Sequence, residues 1–189
     1  MIAAIILIIT LFLILMITAI ISRAIIKKQK IIGRPPIPVY YFILAKMLVL
    51  VNLTFLLLKG LKINVNKIFV PTVFIDLIAL AFLIIGTVIL FLSTIKLKND
   101  LVFGLSSSDN HRLQTTGIYS ISRHPFYLGF IFILFSSCLF NPHYINILAF
   151  IGAWLIHHFI MIKEEQFLSS RYGEEYRQYA KRVKRYISL

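Results

Sequence analysis

The sequence predicts an all-α integral membrane protein, with five transmembrane helices followed by a C-terminal cytoplasmic amphipathic helix. Three observations carry that prediction. Of the 189 residues, 59% are hydrophobic, and they come in long blocks that no soluble fold of this size could cover. The polar segments between the blocks hold nearly all of the charge. The basic residues behind the net charge of +13 sit at the ends of the blocks, a pattern of membrane topology and not of nucleic-acid binding. The length is one domain's worth of chain. The single cysteine, Cys138, lies inside an apolar block; it can form no intrachain disulfide and reads as packing filler.

The first block, Ile2 to Ile21, is free of charge. At 1.5 Å per residue it spans ~30 Å, the thickness of the hydrocarbon core. It has no basic segment before it and no small-x-small site after it, so it is expected to stay as a helix and not be cleaved as a signal. Ser22 to Pro38 carries Arg23, Lys27, Lys28, Lys30 and Arg34 and closes on Pro35-Pro36-Ile37-Pro38, a stiff turn. Val39 to Leu58 is the second span; Lys46 inside it either snorkels or faces a polar cavity, and snorkelling is the favoured expectation. Lys59 to Lys67 connects to the third block, Val70 to Ile95, which at ~39 Å should tilt or project. Asp76 near its start reads as interfacial.

Lys96 to Ser122 is a long polar connection, with Gly104, a Ser106-Ser107-Ser108-Asp109-Asn110 run, and a second half that mixes apolar and hydrogen-bonding residues as a folded segment would. Pro125 to Phe140 is ~24 Å as a helix, short for a full crossing. Asn141-Pro142-His143 turns the chain and Tyr144 to Ile162 runs back, giving a tight hairpin. Of the adjacent His157 and His158, at most one faces the interior well, and a hydrogen-bonded core histidine is the expected role. In the tail, Tyr172, Tyr176, Tyr179, Val183 and Tyr186 recur at helical spacing among basic residues, as in an interfacial amphipathic helix that lies on headgroups or covers a pocket.

The charge count sets orientation. The first and third connections and the tail carry sixteen Lys and Arg against three in the second connection, which puts the N-terminus outside and the C-terminus in the cytoplasm. Residues 1–95 then form a scaffold of three helices, with possible access for a substrate, and residues 96–189 hold the chemistry. On this topology the Gln114–Tyr119 loop, Arg123-His124, Glu164-Glu165 and the basic tail gather at one face. The glutamates end the second hairpin arm where Arg123 and His124 begin the first. A carboxylate pair facing an Arg and a His in a half-dry interface suits a polar ligand; salt bridging between the arms is the competing reading. Pro125 suits a helix start, which would put Arg123 and His124 at the positive end of that helix. No P-loop, G-x-G-x-x-G, G-x-S-x-G elbow or Cys/His set at metal-ligand spacing occurs, so no metal is expected.

Leu113-Gln114-Thr115-Thr116-Gly117-Ile118-Tyr119, then Arg123-His124-Pro125-Phe126-Tyr127, then Glu164-Glu165 after 36 intervening residues, resembles the signature of the isoprenylcysteine carboxyl methyltransferase family. The wider group of membrane phospholipid methyltransferases shares it. The ending Tyr176-x-x-Tyr179-x-x-x-Val183-x-Arg185-Tyr186 is also similar to that family's C-terminus. The match covers roughly residues 111–187, and the compact chain looks like a prokaryotic or archaeal relative. The resemblance implies S-adenosylmethionine as cofactor, bound at the cytoplasmic face. It implies that Leu113, Gln114, Gly117 and Tyr119 line the nucleoside, with Gly117 allowing close backbone approach. Tyr119, His124 and Tyr127 are implied to contact the amino-acid end or sulfonium, and Glu164 or Glu165 the ammonium or ribose hydroxyls. Arg123 is assigned by its charge to an acceptor carboxylate, and Arg123 and Glu165 are the expected catalytic pair. Tyr127 and Gly129 are expected to form the membrane-side wall.

Methyl transfer from a sulfonium is an in-line displacement, so alignment and exclusion of water supply most of the catalysis. A carboxylate acceptor is already ionised, whereas an amine such as a phosphatidylethanolamine headgroup needs a base. With no Lys or His clearly placed as that base, the carboxylate of a lipophilic, isoprenylcysteine-like acceptor entering from the bilayer is favoured. Amine N-methylation, an NADPH-dependent reductase and a non-enzymatic scaffold are the alternatives.

Overall fold

The computed structural model describes residues 1–26, 35–97 and 113–188, apart from the side chains of residues 23–25. Lys27, Lys28, Lys30 and Arg34 of the first connection, and Lys98 to Arg112 of the third with its Gly104, serine run and His111, lie outside the described residues. Among the described residues all regular structure is helical: α1 (Ile2–Ile26), α2 (Val39–Gly60), α3 (Val73–Leu97), a 3₁₀ turn (Gly117–Ser120), α4 (Pro125–Phe140), α5 (Tyr144–Tyr172) and α6 (Glu174–Arg182).

The boundaries follow local chemistry. The Pro38 carbonyl accepts from Tyr41 N at 3.0 Å and opens α2. α3 starts at Val73, three residues later than the apolar block. Pro71 cannot continue a helix from Val70, and the Thr72 hydroxyl accepts from Ile75 N at 3.3 Å as a cap. Pro125 occupies the first turn of α4, where a missing N–H is harmless. α5 runs ten residues beyond its apolar block, through Glu164 and Glu165 to Tyr172, because Lys, Glu and Gln are good helix formers. It stops at Gly173, whose φ of 54° favours glycine, and α6 starts at once on the other side of that glycine.

Four helices, α1, α2, α3 and α5, are long and apolar enough to cross a membrane; α4, at 16 residues, is shorter. The protein is thus an all-α membrane protein. Large apolar side chains are exposed along these helices, among them Ile8, Leu15, Met47, Leu50, Val88, Leu148 and Phe159; they form the surface that lipid tails would cover.

Small residues let the helices meet closely. A Cβ on Gly129 would fall 2.8 Å from the Gly86 carbonyl oxygen, and one on Gly86 would fall 2.8 Å from that of Gly129. α3 and α4 therefore cross backbone to backbone at this pair. Gly129, expected on the wall of a ligand pocket, is instead at this helix crossing. The core below it joins Ile6 and Leu13 of α1, Leu56 of α2, Leu83 and Leu90 of α3, and Ile133 and Phe140 of α4. α5 packs on α2 and α4 through Val49, Leu134 and Ala153.

Several polar side chains inside this bundle are paired with one another or with the backbone. The Ser137 hydroxyl donates to the Asn52 carbonyl at 2.8 Å, and Asn146 Nδ2 donates to the Ser137 and Asn141 carbonyls, each at 3.0 Å. That network ties the turn of the α4–α5 hairpin to α2. Nearby, Lys59 Nζ of α2 lies 3.0 Å from Asp76 of α3. His157 is buried with Nδ1 2.7 Å from the Ala153 carbonyl oxygen, so it donates there as a core histidine does. Lys46 Nζ rests over the Phe42 ring at 5.0 Å, one turn nearer the start of α2, the direction in which a snorkelling lysine points.

Candidate active site

Three separate segments meet at the far end of α5 from this turn: the strip before α4, the polar extension of α5, and the tail after Gly173. Glu165 is their common point. Its Oε1 accepts from Arg123 Nη2 at 3.0 Å and Arg185 Nε at 2.8 Å, and its Oε2 accepts from Arg185 Nη2 at 2.8 Å. His124 Nε2 lies 3.1 Å from the same Oε1. One carboxylate thus faces two guanidiniums and an imidazole, with a side-chain exposure of 14%. The Arg185 contact is the two-pronged geometry that guanidinium and carboxylate favour.

Glu164 points to the other side. Its Oε1 accepts from the Tyr127 hydroxyl at 2.7 Å. Its Oε2 lies 3.8 Å from His124 Nδ1, beyond hydrogen-bond length. His124, itself 6% exposed, therefore bridges the two glutamates, while Tyr127 stacks at a tilt between the His124 and His157 rings, with centroids at 5.8 and 5.6 Å. The placement is helical. Adjacent residues point ~100° apart, so Glu164 turns to α4 and Glu165 turns to the tail.

The tail is stitched to the strip before α4. Arg123 N donates to the Lys184 carbonyl at 3.0 Å and Ser188 N to that of Ile121 at 2.8 Å. The Ser122 hydroxyl donates to the Arg185 carbonyl at 3.0 Å and accepts from His124 N at 3.1 Å. Arg123 Nη1 donates to the Ala180 and Val183 carbonyls at 3.0 and 3.2 Å, so this side chain faces the tail. Tyr176, Tyr179 and Val183 are buried against Leu113, Leu168, Tyr172 and Ala180. The face of α6 with tyrosines at helical spacing is therefore turned to the protein, and Arg177, Lys181 and Arg182 are on the exposed side. Tyr186 stacks on His158 at 15° between ring planes, its hydroxyl 2.6 Å from His158 Nδ1.

The segment 113–119 runs beside this assembly. Leu113, Gln114 and Thr115 are half-buried, and Gly117 adopts φ 67°. A Cβ built on Gly117 would meet no atom within 4 Å, so its backbone borders open space. Tyr119 is buried, and its carbonyl accepts from the Tyr179 hydroxyl at 2.6 Å. Burial pushes Tyr179 up to about 12, and holds Tyr119 and Tyr176 well above the ordinary phenol value. All three are therefore neutral donors. Three buried polar atoms have no hydrogen-bond partner among the described residues: Asn141 Oδ1 at the hairpin turn, and Arg123 Nε and the Tyr176 hydroxyl at this site.

Of the residues singled out in the sequence, Arg123, His124, Tyr127, Glu164 and Glu165 are in direct contact here, and Leu113, Gln114, Gly117 and Tyr119 lie along the edge, whereas Gly129 is at the α3–α4 crossing. Arg185 was named in the sequence as part of the tail motif, with no role at the site assigned to it. Its signal was the Arg-Tyr pair ending the tail motif, one cation fixed beside an aromatic.

The family model for phospholipid methyltransferases matches residues 74–175. Among curated relatives, methanethiol S-methyltransferase 1 of Bradyrhizobium diazoefficiens is 32% identical over 60% of this chain and 41% of its own length. A probable protein-S-isoprenylcysteine O-methyltransferase of Oryza sativa subsp. indica is 30% identical over 58% of this chain and 59% of its own. The protein-S-isoprenylcysteine O-methyltransferase of Schizosaccharomyces pombe is 33% identical over 42% and 34%. The matches thus span less than two thirds of the length of each of these relatives. No solved structure matches.

Proposed function

The chain belongs to the phospholipid methyltransferase family, and from that premise we propose that it is an S-adenosylmethionine-dependent membrane methyltransferase. Its acceptor is the carboxylate of a lipophilic, isoprenylcysteine-like molecule, and its site faces the cytoplasm. The observation that carries this reading is the pair Glu164-Glu165, held by Tyr127, His124, Arg123 and Arg185 beside the open backbone of Gly117.

The residues present fit the cofactor. A zwitterionic amino-acid end needs an anion for its ammonium and donors for its carboxylate. Glu164 offers its Oε2, which lies 3.8 Å from His124 Nδ1, and among the described residues Arg123 Nε and the Tyr176 hydroxyl are buried donors lacking partners. Gly117, with nothing within 4 Å of a would-be Cβ, leaves room along the backbone for the nucleoside, lined by Leu113, Gln114 and Tyr119. When bound, the cofactor supplies a methyl group on a positively charged sulfur. The chain's own work is alignment and exclusion of water. Tyr127 and His124 fix the orientation of Glu164. Glu165 draws Arg123 and Arg185 together, and through them the tail closes over the 113–124 strip. An acceptor carboxylate, ionised at neutral pH, needs no proton removed.

In this reading α4 is the fifth crossing, through a locally thinned bilayer, with the N-terminus outside and the tail in the cytoplasm. The sixteen-to-three bias of basic residues supports that orientation. The exposed cations of α6 then face anionic headgroups.

Calorimetric titration of detergent-solubilised protein tests the cofactor. S-adenosylhomocysteine binds in the micromolar range and NADPH does not; failure of the former to bind below millimolar overturns the reading. Transfer of labelled methyl to N-acetyl-farnesylcysteine gives a base-labile ester. A base-stable product on phosphatidylethanolamine, with none on the prenylcysteine, assigns the amine chemistry instead.

A further inference from the structure

Resting on that reading, we propose that Lys46 of α2 is the cation that holds the acceptor's carboxylate, at the bilayer side of the site. Arg123, the candidate by charge alone, is directed at Glu165 and at the tail carbonyls of Ala180 and Val183. Arg185 is directed at both oxygens of Glu165. Neither guanidinium faces an acceptor arriving from the lipid.

Register places Lys46 where such an acceptor arrives. α2 and α5 run antiparallel: the Phe55 and His143 rings lie 5.2 Å apart at one end, while Val49 packs with Ala153 further along. Lys46, three residues before Val49, comes level with His157, four residues after Ala153. Its charge acts on both His157 and Glu164, and its ammonium reaches over Phe42 towards the Glu164 end of the bundle. It stands on the outer surface of the helices, the single Lys or Arg within the predicted apolar spans.

Chemistry explains why a lysine suits this depth. A cation there is disfavoured by the hydrocarbon, by about 3 kcal/mol at the bilayer centre on insertion scales, so it attracts any anion presented from the same medium. A prenylated carboxylate is such an anion: its tail stays in lipid while its charge meets the ammonium. Glu164, the carboxylate assigned to the cofactor's ammonium, lies seven residues beyond His157, ~10 Å along α5. Lys46 therefore lies on the lipid-facing surface of α2, about two turns of α5 from the place where the methyl is presented. A lysine that merely snorkels to headgroups is the competing account, and it contacts no acceptor.

The test compares wild type, Lys46→Met and Lys46→Arg, measuring S-adenosylhomocysteine affinity, kcat and KM for N-acetyl-farnesylcysteine, and inhibition by its carboxamide. The expected result is unchanged S-adenosylhomocysteine affinity in both variants. For Lys46→Met, KM rises at least tenfold and the preference for carboxylate over carboxamide disappears; Lys46→Arg restores most of both. Unchanged KM and preference in Lys46→Met overturn the proposal and leave the methyltransferase reading standing. Loss of S-adenosylhomocysteine binding in that variant also overturns it, since Lys46 then supports Glu164. A wild type that binds S-adenosylhomocysteine but does not methylate the prenylcysteine overturns the acceptor and this role together.

Discussion

Replacing Glu165 by Gln tests how the tail is held. The change keeps the side chain's size and removes its charge. Glu165 takes three hydrogen bonds from Arg123 and Arg185 at 2.8 to 3.0 Å, in a setting where its exposure is 14% and that of the two arginines is 14% and 28%. Removing one partner of such a part-buried pair costs about 3–5 kcal/mol, because the remaining charges lose their counterion. The amide also turns an N–H towards Arg185, donor against donor. The helices of the bundle are packed elsewhere, so the loss falls on docking of residues 174–188 to the 119–124 strip. An opening equilibrium shifted by that energy changes by roughly a hundredfold or more. Trypsin reads it directly, since Lys181, Arg182 and Lys184 become cleavable when α6 and the tail open, and the rate follows the open population. We expect at least a hundredfold faster nicking in Glu165→Gln, with helical content unchanged. A rate within threefold of wild type would refute the account of Glu165 as the tail's anchor.

Three further predictions concern the strip, the helix crossing and pH. Gly117→Ala meets no protein atom but strains a φ of 67° at about 1–2 kcal/mol; S-adenosylhomocysteine affinity should fall more than tenfold with little change in melting temperature, and unchanged affinity would remove Gly117 from the binding surface. Gly129→Ala forces a Cβ to 2.8 Å from the Gly86 carbonyl, so α3 and α4 must separate; overpacking of this kind costs about 1–3 kcal/mol, and a melting temperature equal to wild type would show the crossing to be looser. Tyr179 is raised from its ordinary 10.0 to about 12 by burial, so the folded tail favours the neutral phenol. The stability this contributes is complete below pH 10 and is lost as pH rises from 10 to 12. Tyrosinate absorbance should therefore rise late, together with trypsin sensitivity, and Tyr179→Phe should lose the part of that coupling due to this residue.

The fold was legible where hydrophobicity alone decides. The apolar blocks placed α1, α2, α4 and the first part of α5, because a lipid-facing helix leaves an unambiguous run in sequence. It was less legible where neighbours decide. The extension of α5 to Tyr172 has no apolar period of its own, and only Gly173 marks its end. Gly86 and Gly129 each looked like an ordinary spacer, since a close crossing is a property of two helices and neither carries it alone. At the site, the short hairpin turn was enough to bring Glu164 and Glu165 to Arg123 and His124. The division of labour between the two glutamates depends on which neighbours stand on either side of α5. The tail's tyrosines were expected at an interface by composition, and tertiary packing turned Tyr176 and Tyr179 inward.

Gly173 has one more consequence. By turning the chain back, it lets Arg185, twenty residues after Glu165, return to the carboxylate that Arg123 and His124 reach from the strip before α4. Glu165 is therefore closed in by two stretches of chain from opposite sides of that bend, and a product that breaks off after α5 would keep its helices without the closing half of the site.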